Sequence, residues 1–226
     1  GRVAPTLKKY PEIIFEEGKF DRNDTTNTYV QAGYTVTASS QQSTQQAWEA
    51  FDKNTAAANC WTSQDGTYYD GTSPVNSYTG TTHQLGTGAV YGEWLKLELP
   101  TKIKVSKFIL KAGTTDEAPK SYKIYGSVLG SSWTELKDIS NETPSISGNS
   151  HDVTDTTAYK HIAIVVTQVN TDQDNIRIGE LEYYGYEEDP PLGDHSVDTT
   201  FKSRFNNPQL TGVQVLVDGG MANPGT

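Results

Sequence analysis

The sequence predicts an all-β protein, an antiparallel β-sandwich of the jelly-roll type, and three observations lead to that prediction. Short runs of residues alternate between apolar and polar, which is the period of a half-buried strand. Segments rich in Gly, Ser, Thr, Asn and Asp separate these runs, and helical periodicity is almost absent. Hydrophobic residues make up 34% of the 226 residues and aromatic residues 10%, which is enough apolar area for a folded core. Strands at this spacing favour a sandwich or jelly roll.

The clearest predicted strand spans residues 95–99, where Leu alternates with charged residues. Pro100 ends this alternation, which resumes at residues 103–105 and then continues one step out of phase. A bulge near Ser106 and Lys107 explains the slip, because one extra residue in a strand reverses the faces of those that follow.

The second half of the sequence predicts further strands at residues 122–125, 159–166 and 176–184. Both faces of the middle one are apolar, as expected of a strand in the centre of a sheet. His161 lies within it and is expected to be a core histidine whose hydrogen bonds are satisfied. Only residues 45–51 have any helical character, and that segment is short.

The sequence divides into four parts. Residues 1–11 are predicted to form an N-terminal arm, and residues 12–188 the β-sandwich. Residues 189–198 are a linker by composition, with a Pro pair among acidic residues and Gly. Residues 199–226 alternate like a strand but are too few for a core of their own. They are interpreted as the start of a further domain or as a docking strand.

The charge balance argues against one class of partner. The formal net charge is −10, from 28 acidic and 18 basic residues, whereas phosphate backbones require clustered Lys and Arg. Nucleic acid is therefore not an expected partner, and the same sign opposes adsorption to anionic lipid.

The single cysteine, Cys60, permits no intramolecular disulfide and is expected to be a buried small hydrophobe.

Four parts of the sequence, in this order, resemble the discoidin or coagulation factor 5/8 C-domain family. They are residues 34–40 (YTVTASS) with 50–52 (AFD) and Trp61, residues 92–99 (GEWLKLEL) with 103–108 (IKVSKF), residues 119–127 (PKSYKIYGS) with 133–136 (WTEL), and residues 159–166 (YKHIAIVV) with 178–185 (IGELEYYG). The family is similar to many bacterial carbohydrate-binding modules. The resemblance covers about residues 12–186 and implies a galactose-binding-like jelly roll with ligand-binding loops at one end.

The resemblance also implies a structural calcium ion where the AFD turn meets the last strand. The expected ligands are Asp52, Asn54, Asn59 and Glu180, since calcium takes six to eight oxygen ligands. Asn59 stands where the family usually has Thr or Ser. Glu180 shares strand parity with Ile178 and is expected to point inward, where a carboxylate needs a cation or hydrogen-bond donors. The alternative is that Asp52 caps a turn and Glu180 pairs with a Lys or Arg.

The loops depart from those of the animal members of the family. Their tips are Gly, Ser, Thr and Tyr rather than apolar residues, so membrane insertion is not expected. Residues 63–91 form a longer segment than the family needs, and its aromatic residues are candidates for stacking on sugar rings. The candidate ligand-binding residues are Tyr68, Tyr69, Tyr78 and His83. The alternative is that these side chains only pack the long segment onto its own sandwich.

The sequence is predicted not to encode an enzyme. The four histidines are scattered, and no phosphate loop, zinc spacing or nucleophile elbow is present. Glu180 and Glu182 share a strand face, but residues two apart lie side by side rather than across a scissile bond. They are expected to be one metal ligand and one solvated carboxylate.

Two non-enzymatic functions follow from these observations. The first is a carbohydrate-binding or adhesion module of a larger surface protein, and the sequence also resembles discoidin-like modules of virion surface proteins. The second is a structural subunit, such as a minor capsid or fibre-type protein, that uses the sandwich for assembly. The expected partners are accordingly a glycan or neighbouring protein subunits, and the expected location is extracellular or on a virion surface.

Overall fold

The structure, a computed structural model, describes residues 5–24, 27–68, 75–171 and 173–188. Regular structure in these residues consists of one 3₁₀ helix, Ala47–Phe51, and a set of strands that pair antiparallel throughout. The strands are β1 (Lys8–Tyr10), β2 (Arg22–Asp24), β3 (Thr28–Gln31), β4 (Tyr34–Ala38), β5 (Trp61–Thr62), β6 (Glu93–Ala112), β7 (Pro119–Ser127), β8 (Thr134–Ile139), β9 (Asn149–Asp152), β10 (Ala158–Val169) and β11 (Arg177–Glu187). The predicted all-β antiparallel fold is confirmed.

Two layers of strands share the long strand β6. The first layer has the order β2-β3-β4-β6-β10-β7-β8 and uses residues 93–98 of β6. The second layer joins β11 and β9 to residues 103–112 of β6, and β1 and β5 pair with β11. Residues 100–102 between the two halves are exposed. A strand that passes from one layer to the other in this way closes the sheet into a sandwich.

The bulge predicted in β6 is present. Val105 pairs with Gly185 and Lys107 pairs with Tyr184, so Ser106 has no opposite residue in β11. The extra residue changes the phase of the alternation, and both Val105 and Phe108 therefore face the core.

The main core lies between the two layers and follows the alternation of the sequence. Leu95, Leu97 and Leu99 of β6 are fully buried, as are Ile162 and Ile164 of β10. The central position predicted for β10 is confirmed, because β6 and β7 flank it on its two sides. Burial of these apolar side chains is the main favourable contribution to folding.

The outer face of β10 is covered by part of the long segment that precedes β6. Ala163 and Val165 alternate with the core-facing residues of β10, yet neither has any exposed surface. They belong to a second apolar cluster, and the covering residues come from residues 85–90. The other members of this cluster are Ala89, Tyr125 and Trp133, with Leu85, Val90 and Trp94 packed against them. Part of the long segment therefore does pack onto its own sandwich.

Part of the predicted N-terminal arm is a strand of the sandwich. Residues 8–10 form β1, which pairs with β11, and Tyr10 is only 2% exposed. Lys8 forms an ion pair with Glu187 (3.0 Å), which also accepts a hydrogen bond from the Tyr10 hydroxyl. The first compact unit of the chain ends at Glu187. The linker predicted at residues 189–198 and the segment 199–226 lie outside the described residues.

Three further predictions concern single side chains. Glu182 is not solvated but 6% exposed, in ion pairs with Lys9 (3.1 Å) and Lys111 (3.0 Å). Burial acts to raise its pKa, but the bonds from these lysines hold it below the ordinary value. His161 is buried, yet its Nδ1 has no hydrogen-bond partner among the described residues. Cys60 is buried as predicted, and burial raises the pKa of its thiol to about 11.

Glu49 is a buried acid at the start of the 3₁₀ helix. It is 7% exposed, and its Oε2 accepts a hydrogen bond from the backbone N–H of Gln46 (3.0 Å), which closes a capping box. Burial raises the pKa of Glu49 to about 7, the bond from Gln46 lowers it, and the charge of Asp52 raises it. Ionisation of Glu49 therefore costs free energy in the folded state.

Glu49→Gln is expected to remove part of the pH dependence of stability. The pKa is higher in the folded chain, about 7, than the ordinary 4.5. The free energy of unfolding is therefore highest below the ordinary pKa and falls, by roughly 2 kcal/mol, as the pH rises through the folded value. Glutamine keeps the acceptor for Gln46. Urea unfolding at acidic and at mildly alkaline pH measures the difference, and the exposed Glu16→Gln is the matched control. A variant that loses as much stability with pH as the wild type would contradict this expectation.

Candidate functional site

Five segments meet at one end of the sandwich, which we call the loop end. Four of them adjoin a strand of the sandwich, and backbone hydrogen bonds connect neighbouring segments. The segments are residues 39–45, 62–68, 75–83, 113–118, and 167–171 with 173–176. The connecting bonds are Gln42 N to Thr62 O, Ser63 N to Ile176 O, Tyr78 N to Thr167 O, and Asn170 N to Ala118 O. The loop end is where the resemblance to known modules predicts a ligand site.

A fully buried carboxylate, Glu93, lies at the base of the loop end. One carboxylate oxygen, Oε1, is 2.9 Å from His83 Nδ1 and accepts a bond from Thr67 Oγ1 (3.3 Å). The other, Oε2, accepts bonds from Ser40 Oγ (2.8 Å) and from Ser39 Oγ. A buried charge is tolerated only when donors satisfy it. Side chains from three segments therefore converge on this single group.

Tyr68 is a structural residue rather than a ligand contact. Its side chain has no exposed surface, and its hydroxyl donates to Val166 O (2.8 Å) and accepts from Glu93 N (3.0 Å). The sequence predicted that Tyr68 binds a ligand, whereas in the structure its hydroxyl bridges β6 and β10 within the core. Tyr69, the neighbouring candidate, lies outside the described residues.

Tyr78 and His83 are the two predicted ligand-binding residues that the structure brings together at the surface. Their ring centroids are 6.2 Å apart with planes 31° from parallel, and the half-buried Tyr78 rests edge-on against Tyr68. The side chain of His83 is 27% exposed. Because Nδ1 faces Glu93, the ring edge carrying Nε2 is the edge left for a ligand. We call this pair of rings, with its single polar edge, the aromatic step.

Asp65 lies on the rim of the same end. Its Oδ1 accepts bonds from Gln42 Nε2 (2.9 Å) and Asn175 Nδ2 (2.8 Å), so amides from two other segments hold it. Asp65 is exposed, while Asn175 is 8% exposed. This arrangement fixes the position of a surface carboxylate that would otherwise be mobile.

The His83–Glu93 pair resembles the acid–imidazole half of a catalytic triad, but the hydroxyls around it are placed differently. Ser39 and Ser40 donate to the carboxylate of Glu93 rather than to the imidazole of His83. A nucleophile must lie within hydrogen-bond reach of its base, and no Ser, Thr or Cys side chain is hydrogen-bonded to a histidine among the described residues. The geometry suits hydrogen bonding to a ligand better than covalent chemistry.

Two of the four predicted calcium ligands lie at the end of the 3₁₀ helix. Asp52 and Glu180 come together there, and Glu180, which is 2% exposed, accepts a bond from Lys53 N (2.8 Å). Burial and the charge of Asp52 raise the pKa of Glu180 to about 9, and burial raises that of Asp52 to about 6. Neither carboxylate forms an ion pair with Lys or Arg among the described residues, so the pairing alternative for Glu180 finds no support.

The two predicted asparagine ligands are less clearly placed. Asn54 is exposed and its Oδ1 accepts from Ala56 N (3.0 Å), while Asn59 is half-buried and only its backbone N–H forms a bond. No group of three or more His, Cys, Asp or Glu side chains suited to a metal occurs in the described part of the chain. A cation here would need amide and backbone oxygens beside the two carboxylates. Calcium accepts such ligands, so Asp52 and Glu180 fit it.

Sequence reasoning missed Glu93 and the hydroxyl groups that bind it, although one signal was available. Glu93 shares strand parity with Leu95, Leu97 and Leu99, so it points inward by the same argument that was applied to Glu180. The partners could not be found in this way, because they come from loops whose spacing along the chain carries no periodicity.

These features define a class of protein, the discoidin-like β-sandwich, and comparison with solved structures shows the same fold. One neighbour is the family 32 carbohydrate-binding module of Clostridium perfringens NanJ, in complex with galactose (TM-score 0.50, 16% identity, 67% of this chain and 93% of that one). A second is a family 32 module of C. perfringens in complex with GalNAc-β-1,3-galactose (0.50, 17%, 67% and 94%).

A third structural neighbour comes from another organism. It is chitosan-binding module 1 of a chitosanase/glucanase from Paenibacillus (TM-score 0.50, 20% identity, 68% of this chain and 96% of that one). At these sequence identities, the structural similarity establishes only that the fold is shared. No family model and no curated protein matches the sequence.

Proposed function

We propose that this chain is a non-catalytic carbohydrate-binding module that takes a glycan at the loop end. The observation that carries the proposal is the aromatic step of Tyr78 and His83 with Glu93 beneath it. A binding site needs few polar groups, held in fixed positions beside apolar surface. Here the buried carboxylate fixes the orientation of the imidazole before any ligand arrives.

The chemistry of the step matches that of a sugar ring. One face of a sugar ring presents C–H groups, which pack against an aromatic ring, and its edges present hydroxyls. Tyr78 supplies a ring face and His83 supplies a ring nitrogen at the open edge, which can accept or donate according to its tautomer. The amides and hydroxyls of the loop end, including Gln42, supply further partners at the rim.

The structural neighbours support this choice over an enzyme. Those of C. perfringens are named as modules in complex with galactose or GalNAc-β-1,3-galactose, and the Paenibacillus module is named for chitosan. A family 89 glycoside hydrolase of C. perfringens also matches 79% of this chain, but over only 18% of its own length. We infer that this chain likewise acts as a module attached to other domains.

We also propose that calcium binds between Asp52 and Glu180 in a structural role. The buried Glu180 and the half-buried Asp52 lie close together without a Lys or Arg ion-pair partner among the described residues, which is unfavourable, and a bound cation would neutralise their charges. Asn54, Asn59 and backbone carbonyls of the turn would complete the oxygen ligands. The ion would hold the turn after the 3₁₀ helix against β11 and take no part in binding the glycan.

Assembly with neighbouring protein subunits is the weaker alternative. Residues 8–10 of the predicted arm, which could have contacted a neighbouring subunit, pair instead with β11 of the same chain. Display outside a cell or on a virion surface stays a prediction from the sequence resemblance. No helix in the described residues is long and apolar enough to span a membrane.

His83→Asn is expected to weaken glycan binding without unfolding the chain. The asparagine amide can still donate to Glu93 from about the position of Nδ1, but the ring edge with Nε2 is lost. We expect an affinity loss of roughly tenfold or more, as for a lost ligand hydrogen bond with its stacking surface. A glycan array, followed by calorimetry on the best ligand, measures this. Tyr91→Ala, an exposed tyrosine of the same segment, is the matched control. Equal binding by wild type and His83→Asn would overturn the proposal.

A further inference from the structure

The outer face of the first layer carries a lysine without a partner. Lys96 of β6 lies between Thr37 of β4 and Ala163 of β10, and it alternates with the core-facing leucines of its strand. It is half-buried, yet it forms no hydrogen bond or ion pair with a described residue. Lysine is seldom withdrawn from water unless an acid neutralises it. Burial accordingly lowers the pKa of Lys96, and the charge of Glu98 offsets this effect only in part.

The acids of this face are engaged by other lysines. Glu98, two residues along β6 from Lys96, forms an ion pair with Lys160 (3.2 Å). Two strands away, on β7, Lys123 binds two carboxylates of β8. The ammonium group of Lys96 therefore keeps a positive charge that no carboxylate of the described residues binds.

A buried histidine beside Lys96 also lacks a partner. His161 is 8% exposed, and its Nδ1 forms no hydrogen bond in the described part of the chain. This atom lies 3.9 Å from Oε2 of Glu98, which is too far for a hydrogen bond but shows that this ring edge faces β6. Lys96 is the next residue of β6 on the same face. Buried polar groups are normally hydrogen-bonded, so the two neighbouring nitrogens indicate an acceptor that a ligand supplies.

The side chains around Lys96 suit a sugar. Trp94, two residues before it on β6 and on the same face, is half-buried and packs against the second apolar cluster. Thr35 and Thr37 of β4 are half-buried on the other side of Lys96. An indole ring offers apolar surface to the C–H groups of a sugar, and threonine hydroxyls can donate or accept hydrogen bonds. A positive charge with these neighbours matches a sugar ring that bears an anionic group.

We propose that the outer face of the first layer binds an acidic sugar, such as a uronate, whose carboxylate pairs with Lys96 and whose ring contacts Trp94. A carboxylate only accepts hydrogen bonds and an ammonium group only donates them, so the two are complementary. His161 would supply a further donor from β10. This second glycan site goes beyond the proposed function and does not depend on it. The segments of the loop end contain no Lys or Arg that could pair with such a carboxylate.

Calorimetry on the full chain with oligogalacturonate and with its methyl ester tests this inference, because the ester keeps the sugar rings and removes the charge. The acidic oligomer is expected to bind more tightly by roughly tenfold at low salt, and added salt should reduce this preference. Lys96→Met keeps the aliphatic stem without the ammonium group, so it should abolish the preference without lowering the Tm of the free chain. Lys96→Arg should retain the preference. Lys104→Met, which removes an exposed lysine of the same strand, is the matched control and should also retain it.

The outcomes distinguish this inference from the proposed function. A preference that persists in His83→Asn and disappears in Lys96→Met would support a second site. Equal affinity for the acid and the ester would overturn the inference and leave the loop-end site standing. A preference that survives Lys96→Met would also overturn it, since the carboxylate would then bind elsewhere. Oligoglutamate that bound as tightly as oligogalacturonate would show that charge alone is recognised, which contradicts a sugar site.

Discussion

Replacing Tyr68 by alanine is expected to lower the free energy of unfolding by about 3–5 kcal/mol, the usual cost of deleting a large buried aromatic ring. The ring is fully buried, and its hydroxyl bridges Val166 O and Glu93 N. Both backbone groups would lose a partner in the interior, which adds to the cost of the cavity. Urea unfolding followed by tryptophan fluorescence measures the change.

Two further variants divide the effect of Tyr68 into its parts. Tyr68→Phe keeps the ring and removes only the hydroxyl, so it should cost about 1–3 kcal/mol. Tyr78→Phe is the matched control, because Tyr78 is only half-buried and its hydroxyl is bonded to the Thr82 side chain and, at 3.4 Å, to His83 N rather than to two groups in the core. It should cost well below 1 kcal/mol. If Tyr68→Ala were as stable as the wild type, the placement of Tyr68 in the core would be wrong.

Calcium is expected to raise the stability of the chain by about 3–4 kcal/mol when it is present at a few hundred times its dissociation constant or more. For a domain of this size, that corresponds to a rise in Tm of about 6–15 °C over the same chain in chelator. The stabilisation should fade at acidic pH, because protons compete with the metal for carboxylates. Differential scanning calorimetry with calcium, with magnesium and with chelator measures it.

Variants of the acidic residues identify the calcium ligands. Glu180→Gln should lose the calcium response yet unfold at or above the wild-type temperature in chelator, because a neutral amide replaces a buried carboxyl with no basic partner among the described residues. Asp52→Asn should lose the response as well. Glu182→Gln, two residues along β11, should be less stable since it loses its lysine partners, but should keep the full calcium shift. Identical unfolding in calcium and chelator would refute the metal site.

The alternation of the sequence by itself determined the class of fold, the long strand with its bulge at Ser106, and the central place of β10. These features depend on side-chain period, which a strand imposes locally on its own residues. The same period placed Glu180 inside the sandwich, and applied to β6 it would have placed Glu93 there too. Inward-facing acids in apolar strands are therefore the part of the site that a sequence can reveal.

Only the tertiary structure decided which loop side chains reach the surface. Tyr68 and Tyr78 belong to the same polar, glycine-rich segment, yet one is part of the core and the other is half-exposed. No local period governs a loop, and burial there depends on which distant strands it crosses. For the same reason Glu182 could not be recognised as the partner of Lys9, since the two are joined only when β1 pairs with β11. The contacts of the loop end come from segments far apart in the chain, and only folding brings them together.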